Sequence, residues 1–78
     1  MITVRYFAGA AEAAGVESEQ VAATTRGELR AAVLARHADL ARVLDRCALL
    51  ADGVRLADDA APVAAGATVD VLPPFAGG

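Results

Sequence analysis

The string Pro73-Pro74-Phe75-Ala76-Gly77-Gly78 carries the most specific chemistry in the sequence. Glycine is the residue that loses most entropy on ordering, so Gly77-Gly78 is a poor way to finish a strand or a helix. It makes a good thin end. Two residues without side chains can enter a channel too narrow for alanine, and the terminal carboxylate arrives first. Pro73 and Pro74 cannot donate to a ladder and stiffen the base, so the tail is expected to project from the body. Six extended residues reach about 20 Å.

Other reactive side chains are sparse. The chain has one Ser (Ser18), one His (His37) and one Cys (Cys47). No Ser/His/Asp set or nucleophile signature can be assembled from them. One Cys forms no internal disulfide, and one Cys with one His cannot supply a zinc site. The glycines are scattered and no phosphate-loop motif occurs. His37 reads as a helix-end dipole partner and Cys47 as a small core residue, with a sulfur relay the sharper alternative for Cys47. Asp52, Asp58, Asp59 and Asp70 lack calcium-loop spacing and read as solvated.

These residues must be positioned by one small domain, because 78 residues allow no more. Of these, 21 are Ala, so the hydrophobic fraction of 56% overstates the core. Val, Leu, Ile, Met and Phe must build it. The net charge is -3, with seven Arg and no Lys. An acidic chain without a basic run is a poor nucleic-acid binder and better suited to a basic protein partner. No apolar stretch approaches the roughly 20 residues of a membrane span, and the N-terminus lacks signal-peptide order. The expected location is the cytoplasm, where a lone Cys stays reduced.

Ile2 to Phe7 alternates with Ile2, Val4 and Tyr6 on one face, which predicts a strand. Ala8 to Ala14 suits a short helical turn or a loop before Gly15. Ser18 to Ala23 is a weaker strand centred on Val21. Thr25 and Glu28 fit a capping box for an amphipathic helix that ends near His37, with Leu29, Ala32 and Val33 facing inward. Asp39 can cap a second short helical segment carrying Leu40, Val43 and Leu44. Cys47 to Ala51 and Val54 to Leu56 are strands joined by Asp52-Gly53, the strongest hairpin dipeptide. Thr68 to Leu72 is the last strand, and Pro73-Pro74 ends it.

An opening hairpin, one main helix and a return to strands describe an α+β fold. Its compact version is the β-grasp, a mixed sheet of about five strands with one helix packed across it. That topology requires the first and last strands to lie side by side in parallel. The expected organisation is a β-grasp domain over residues 1–72 and an extended tail over residues 73–78.

The sequence resembles the ubiquitin-like sulfur carriers of the MoaD/ThiS type, and most closely the small subunits of molybdopterin synthase (MoaD). The resemblance spans essentially the whole chain. It is carried by Ile2-Thr3-Val4-Arg5-Tyr6-Phe7-Ala8, by Ala10 to Ala14, by Asp52-Gly53 and above all by the segment from Thr68 through Pro73-Pro74-Phe75-Ala76-Gly77-Gly78. It implies chemistry on Gly78. In the family an E1-like, MoeB-type adenylyltransferase uses ATP to activate the terminal carboxylate, and a sulfur donor converts it to a thiocarboxylate. Inserted into a MoaE-type large subunit, the tail passes sulfur to a pterin precursor, building the dithiolene of the molybdenum cofactor. The resemblance implies a two-plus-two heterotetramer with that subunit, no bound cofactor and no catalysis by the chain on its own.

Further expectations concern docking. If Val69 and Val71 point inward, Leu72 points outward beside Phe7, and the two form an exposed apolar patch next to the tail. Phe75, past Pro74, is an anchor for a partner's pocket. Ala76 and Gly77 accompany it into the channel. The alternatives are carriage of sulfur for cysteine, thiamin or tRNA thiolation, a ubiquitin-like protein modifier, and a plain binding module. Pro73-Pro74 before the short tail favours the molybdopterin role over thiamin.

Overall fold

The structure, a computed structural model, describes residues 1–74. The expectations for Phe75, Ala76, Gly77 and Gly78 lie outside the described residues.

Strand β1 (Ile2–Tyr6) alternates as its residue pattern requires, with Ile2, Val4 and Tyr6 buried and Arg5 exposed. The Ala/Glu stretch is a true helix, α1 (Gly9–Ala14), which buries Ala10 and Ala14. Gly15 ends it in the left-handed region at φ 76°, and its N–H donates to Ala11. There glycine avoids the Cβ penalty of that conformation. Strand β2 (Ser18–Val21) then runs back antiparallel to β1.

Helix α2 (Arg26–Arg36) starts on Thr25, whose Oγ1 accepts the Glu28 N–H at 3.1 Å. The expected capping box is displaced by one residue on its return side. Glu28 Oε1 accepts the N–H and the hydroxyl of Thr24, both at 2.7 Å, in place of the Thr25 N–H. Leu29 and Val33 face the core. Replacing Thr25 by Ala removes the cap and should cost about 1 kcal/mol. In a domain of this size that lowers Tm by about 4–8 °C. Thermal unfolding followed by circular dichroism checks it, and an unchanged Tm would contradict the capping role.

Two 3₁₀ turns follow, Ala38–Arg42 and Leu44–Arg46, burying Leu40 and Leu44. Asp39 does not cap the first of them. The N-cap position is His37, and no side chain bonds there. Strand β3 (Ala48–Ala51) begins one residue after Cys47. Asp52 and Gly53 take φ of 48° and 86°, the two positive values a type I′ turn needs. Strand β4 (Val54–Arg55) is short, although Leu56 beyond it still donates its N–H to Leu49. Strand β5 (Thr68–Leu72) buries Val69 and Val71.

The sheet order is β2-β1-β5-β3-β4. The central pair, β1 and β5, is parallel, and the other pairs are antiparallel. Ile2, Val4, Leu49, Val69 and Val71 join Ala10, Leu29, Val33, Leu40 and Leu44 in one core on one face of the sheet. The architecture is α+β, a ubiquitin-like β-grasp with a mixed five-stranded sheet. Among the described residues no helix packs on the opposite face of the sheet.

Candidate functional site

The parallel register decides what lies beside the tail. Tyr6 is opposite Val71, and the Phe7 N–H donates to the Val71 carbonyl at 3.2 Å. The next step of the ladder sets Phe7 beside Leu72 on the helix-free face. Leu72 is in turn opposite Ala48 of β3. Phe7, Leu72 and Ala48 therefore form an apolar row across three strands. Phe7 is 37% exposed and Leu72 is half-buried. The expected Phe7–Leu72 adjacency thus holds at the end of the strand from which the tail leaves. Pro73 is half-buried against this end and Pro74 is exposed. The roles assigned to Phe75, Ala76, Gly77 and Gly78 fall beyond the described residues.

A second row on the same face holds Ser18, Arg5, Asp70, Leu50 and Arg55, one residue from each strand. Arg5 and Asp70 pair through two hydrogen bonds, of 2.7 and 3.0 Å. Beside Phe7 an open groove of about 400 Å³ is walled by Arg5, Ala8, Ala11, Glu17 and Ser18.

The solvated reading of the aspartates holds for Asp52, Asp58 and Asp59, which are exposed, while Asp70 is half-buried in its pair with Arg5. Asp59 pairs with Arg26, Asp52 accepts the Thr68 N–H, and Asp58 accepts the Ala60 N–H. Among the described residues no group of three or more His, Cys, Asp or Glu side chains is placed to hold a metal ion.

Of the reactive side chains, Cys47 and His37 are held by partners within the fold, and Ser18 is exposed in the row beside Arg5. Cys47 is buried, its Sγ–H donates to the Val43 carbonyl at 3.2 Å, and burial pushes its thiol pKa up. A thiol held in that form is a poor nucleophile, which supports the core reading over the relay. The first N–H groups of α2, elsewhere a phosphate site, are spent. Arg26 donates to Ala61, Gly27 to Asp59 and Glu28 to Thr25. The loop sits so close that a Cβ on Gly27 would lie 3.1 Å from the Asp59 Cβ.

His37 does more than face a helix end. Glu19 points inward opposite Val4 and gathers three donors. The Tyr6 hydroxyl and His37 Nε2, at 2.7 Å, converge on Oε2, and Arg36 Nη1 donates to Oε1 at 3.1 Å. An ionised carboxylate only accepts, so His37 must carry its proton on Nε2. The His37 and Tyr6 rings meet edge to face. Burial resists ionisation of Glu19, but the hydrogen bonds from Tyr6, His37 and Arg36 outweigh it and hold the carboxyl below its usual range. Burial, and then the bond to Glu19, raises the Tyr6 phenol above its usual value. The cluster ties β1, β2 and the end of α2 together. Its signal in the sequence is that Glu19 shares the phase of Val21, and that a buried Tyr needs a partner for its hydroxyl.

The described part of the site thus consists of a β-grasp domain and an apolar row at the end of β5, with no catalytic side chains assembled among the described residues. The ThiS family model matches residues 4–78, nearly the whole chain. The chain belongs to the ThiS family. It is a ubiquitin-like sulfur carrier of the MoaD/ThiS type. No curated protein sequence matches the chain. Among solved structures it is similar to SAMP1, small archaeal modifier protein 1, from Haloferax volcanii. That match has a TM-score of 0.83 and 28% identity, over 99% of this chain and 98% of the other. It is also similar to a chain in the complex of subunits 1 and 2 of the molybdopterin-converting factor from Helicobacter pylori. There the TM-score is 0.74 and the identity 27%, over 99% and 97% of the two chains. Among the described residues of this ThiS-family chain, no helix is long and apolar enough to cross a membrane.

Proposed function

We propose that this chain is the small subunit of a molybdopterin synthase and carries sulfur as a thiocarboxylate on Gly78. The observation that carries the reading is the ThiS match running through residue 78, which includes the Pro73-Pro74-Phe75-Ala76-Gly77-Gly78 string. The likeness to a subunit of the Helicobacter pylori molybdopterin-converting factor supports the acceptor.

A free terminal carboxylate, with a pKa of about 3.3–3.7, is ionised and a poor electrophile. An E1-like, MoeB-type enzyme overcomes this by directing it onto the α-phosphorus of ATP. Pyrophosphate leaves, and the acyl-adenylate carries AMP as its leaving group. The terminal sulfur of a donor persulfide displaces AMP, and thiol cleavage of the resulting S–S bond leaves the thiocarboxylate. The MoaE-type large subunit takes up the tail, with Phe75 in a pocket and Ala76-Gly77-Gly78 in a narrow channel. Phe7 and Leu72 dock beside the channel mouth, and Pro73-Pro74 hold the tail away from the sheet. Two copies of each subunit form the heterotetramer. Acids and bases belong to the partners, ATP is bound by the activating enzyme, and this chain holds no cofactor.

A second reading has its own support. The likeness to SAMP1 favours a protein modifier, in which the activated Gly78 is joined to lysines. With no Lys the chain cannot conjugate to its own side chains. Co-expression with the large subunit of the same genome separates the two. A stable complex that converts the pterin precursor supports the synthase role. Lysine-linked conjugates without such a complex would replace it by the modifier role.

A further inference from the structure

Phe7 is exposed, yet it is held from several sides. Arg5 lies directly opposite Asp70 in the β1–β5 register. Its Nε donates to Asp70 Oδ1 at 2.7 Å and its Nη2 to Oδ2 at 3.0 Å. Two parallel bonds of this kind fix the plane of a guanidinium as one bond cannot. The Arg5 guanidinium carbon then lies 5.6 Å from the centroid of the Phe7 ring, within the range of a cation–π contact. Arg5 and Phe7 share a face because they are two residues apart on one strand.

The backbone of Phe7 is fixed as well. Its N–H donates to Val71, and its carbonyl accepts the Ala10 N–H at 3.0 Å. The next residue, Ala8, takes φ 49° and ψ -126°, a conformation that favours glycine. It is held there because its carbonyl accepts the N–H groups of Ala11 and Glu12. Strain of this sort persists only where the surroundings over-determine it. The Arg5–Asp70 pair is itself largely in solvent, with side chains 53% and 23% exposed. Such a pair adds little stability. What it supplies is a fixed orientation for an exposed aromatic ring.

We infer that Arg5 and Asp70 are positioning residues that hold the Phe7 ring ready for an apolar pocket of the large subunit. The inference deepens the docking role of Phe7 proposed above and rests on it. Because Asp70 already neutralises Arg5, the pocket needs no counter-charge. Ordering the ring before encounter spares its immobilisation during binding, worth about two- to tenfold in affinity.

The test uses the full chain and the purified large subunit of the same genome, with Arg5→Lys and Asp70→Asn. Lysine keeps the charge but loses the fork and the flat stacking face; asparagine keeps the shape but loses the charge. In the free protein, ¹³C relaxation of labelled Phe7 should report a less ordered ring in both variants, with Tm within about 3 °C of the parent. Affinity for the large subunit should weaken by about two- to tenfold. In a Phe7→Ala background, Asp70→Asn should then have no further effect. An unchanged ring order overturns the inference. So does an equal affinity loss with and without Phe7, which would mean that the pair touches the partner directly. If the parent chain does not bind the large subunit at all, the docking reading falls, and ring relaxation alone decides the positioning role.

Discussion

Adding one residue after Gly78 should abolish sulfur loading while leaving the fold and its stability unchanged. The effect is all-or-none because only a terminal carboxylate can be adenylated at this position. The extended chain ends on a different carboxylate, displaced by one residue from where the activating enzyme holds Gly78. Stability should not respond, because the core among the described residues is built from positions up to Val71 and the added residue follows Gly78, itself seven positions beyond Val71. Reducing the access of Gly77 to a narrow channel, by Gly77→Val, should act in the same direction. Intact mass after incubation with the activating enzyme, ATP and a sulfur donor reads the outcome, alongside thermal unfolding. An extended chain that still gained sulfur would place the reactive group elsewhere.

Glu19→Ala should produce the largest loss of stability from a single polar side chain. Glu19 and His37 side chains are only 16% and 17% exposed. Removing the carboxylate strands the Tyr6 hydroxyl and the His37 Nε2–H without their acceptor and leaves Arg36 only its bond to the Gln20 carbonyl. Unsatisfied donors at that depth cost about 2 kcal/mol in total, which lowers Tm by about 8–16 °C. The same carboxylate makes stability depend on pH. Its pKa is lower in the folded protein than in the unfolded chain, so folding favours the ionised form. That contribution is complete above the ordinary Glu value of about 4.3 and is lost as pH falls through the folded value. Denaturant unfolding between pH 7 and pH 3 should show a steeper acid loss in the parent than in Glu19→Ala. Equal slopes would show that the cluster does not set acid stability.

Much of this molecule is legible in its residue order because its core follows simple periods. Ile2, Val4 and Tyr6 alternate, Leu29 and Val33 recur at helical spacing, and Asp52-Gly53 permits little but a tight turn. Those local signals imply the parallel pairing of β1 with β5, and that pairing brings Phe7 to Leu72. What was hidden depends on side chains meeting across long separations. Glu19 gathers Tyr6 and Arg36 from distant segments, and Asp70 meets Arg5 only because the register puts them opposite each other. Asp39 shows the converse. A favourable capping residue was present, but the tight 3₁₀ turn after His37 made no use of it. The tail carries its signal in its residue string, Pro73-Pro74-Phe75-Ala76-Gly77-Gly78.

The most direct test of the carrier role is the intact mass of the unaltered 78-residue chain after incubation with ATP, a MoeB-type activating enzyme and a persulfide donor. The expected result is a gain equal to replacing one oxygen by sulfur, mapped by fragmentation to Gly78 and lost when ATP is omitted. No gain in an incubation that loads an established carrier would contradict the account.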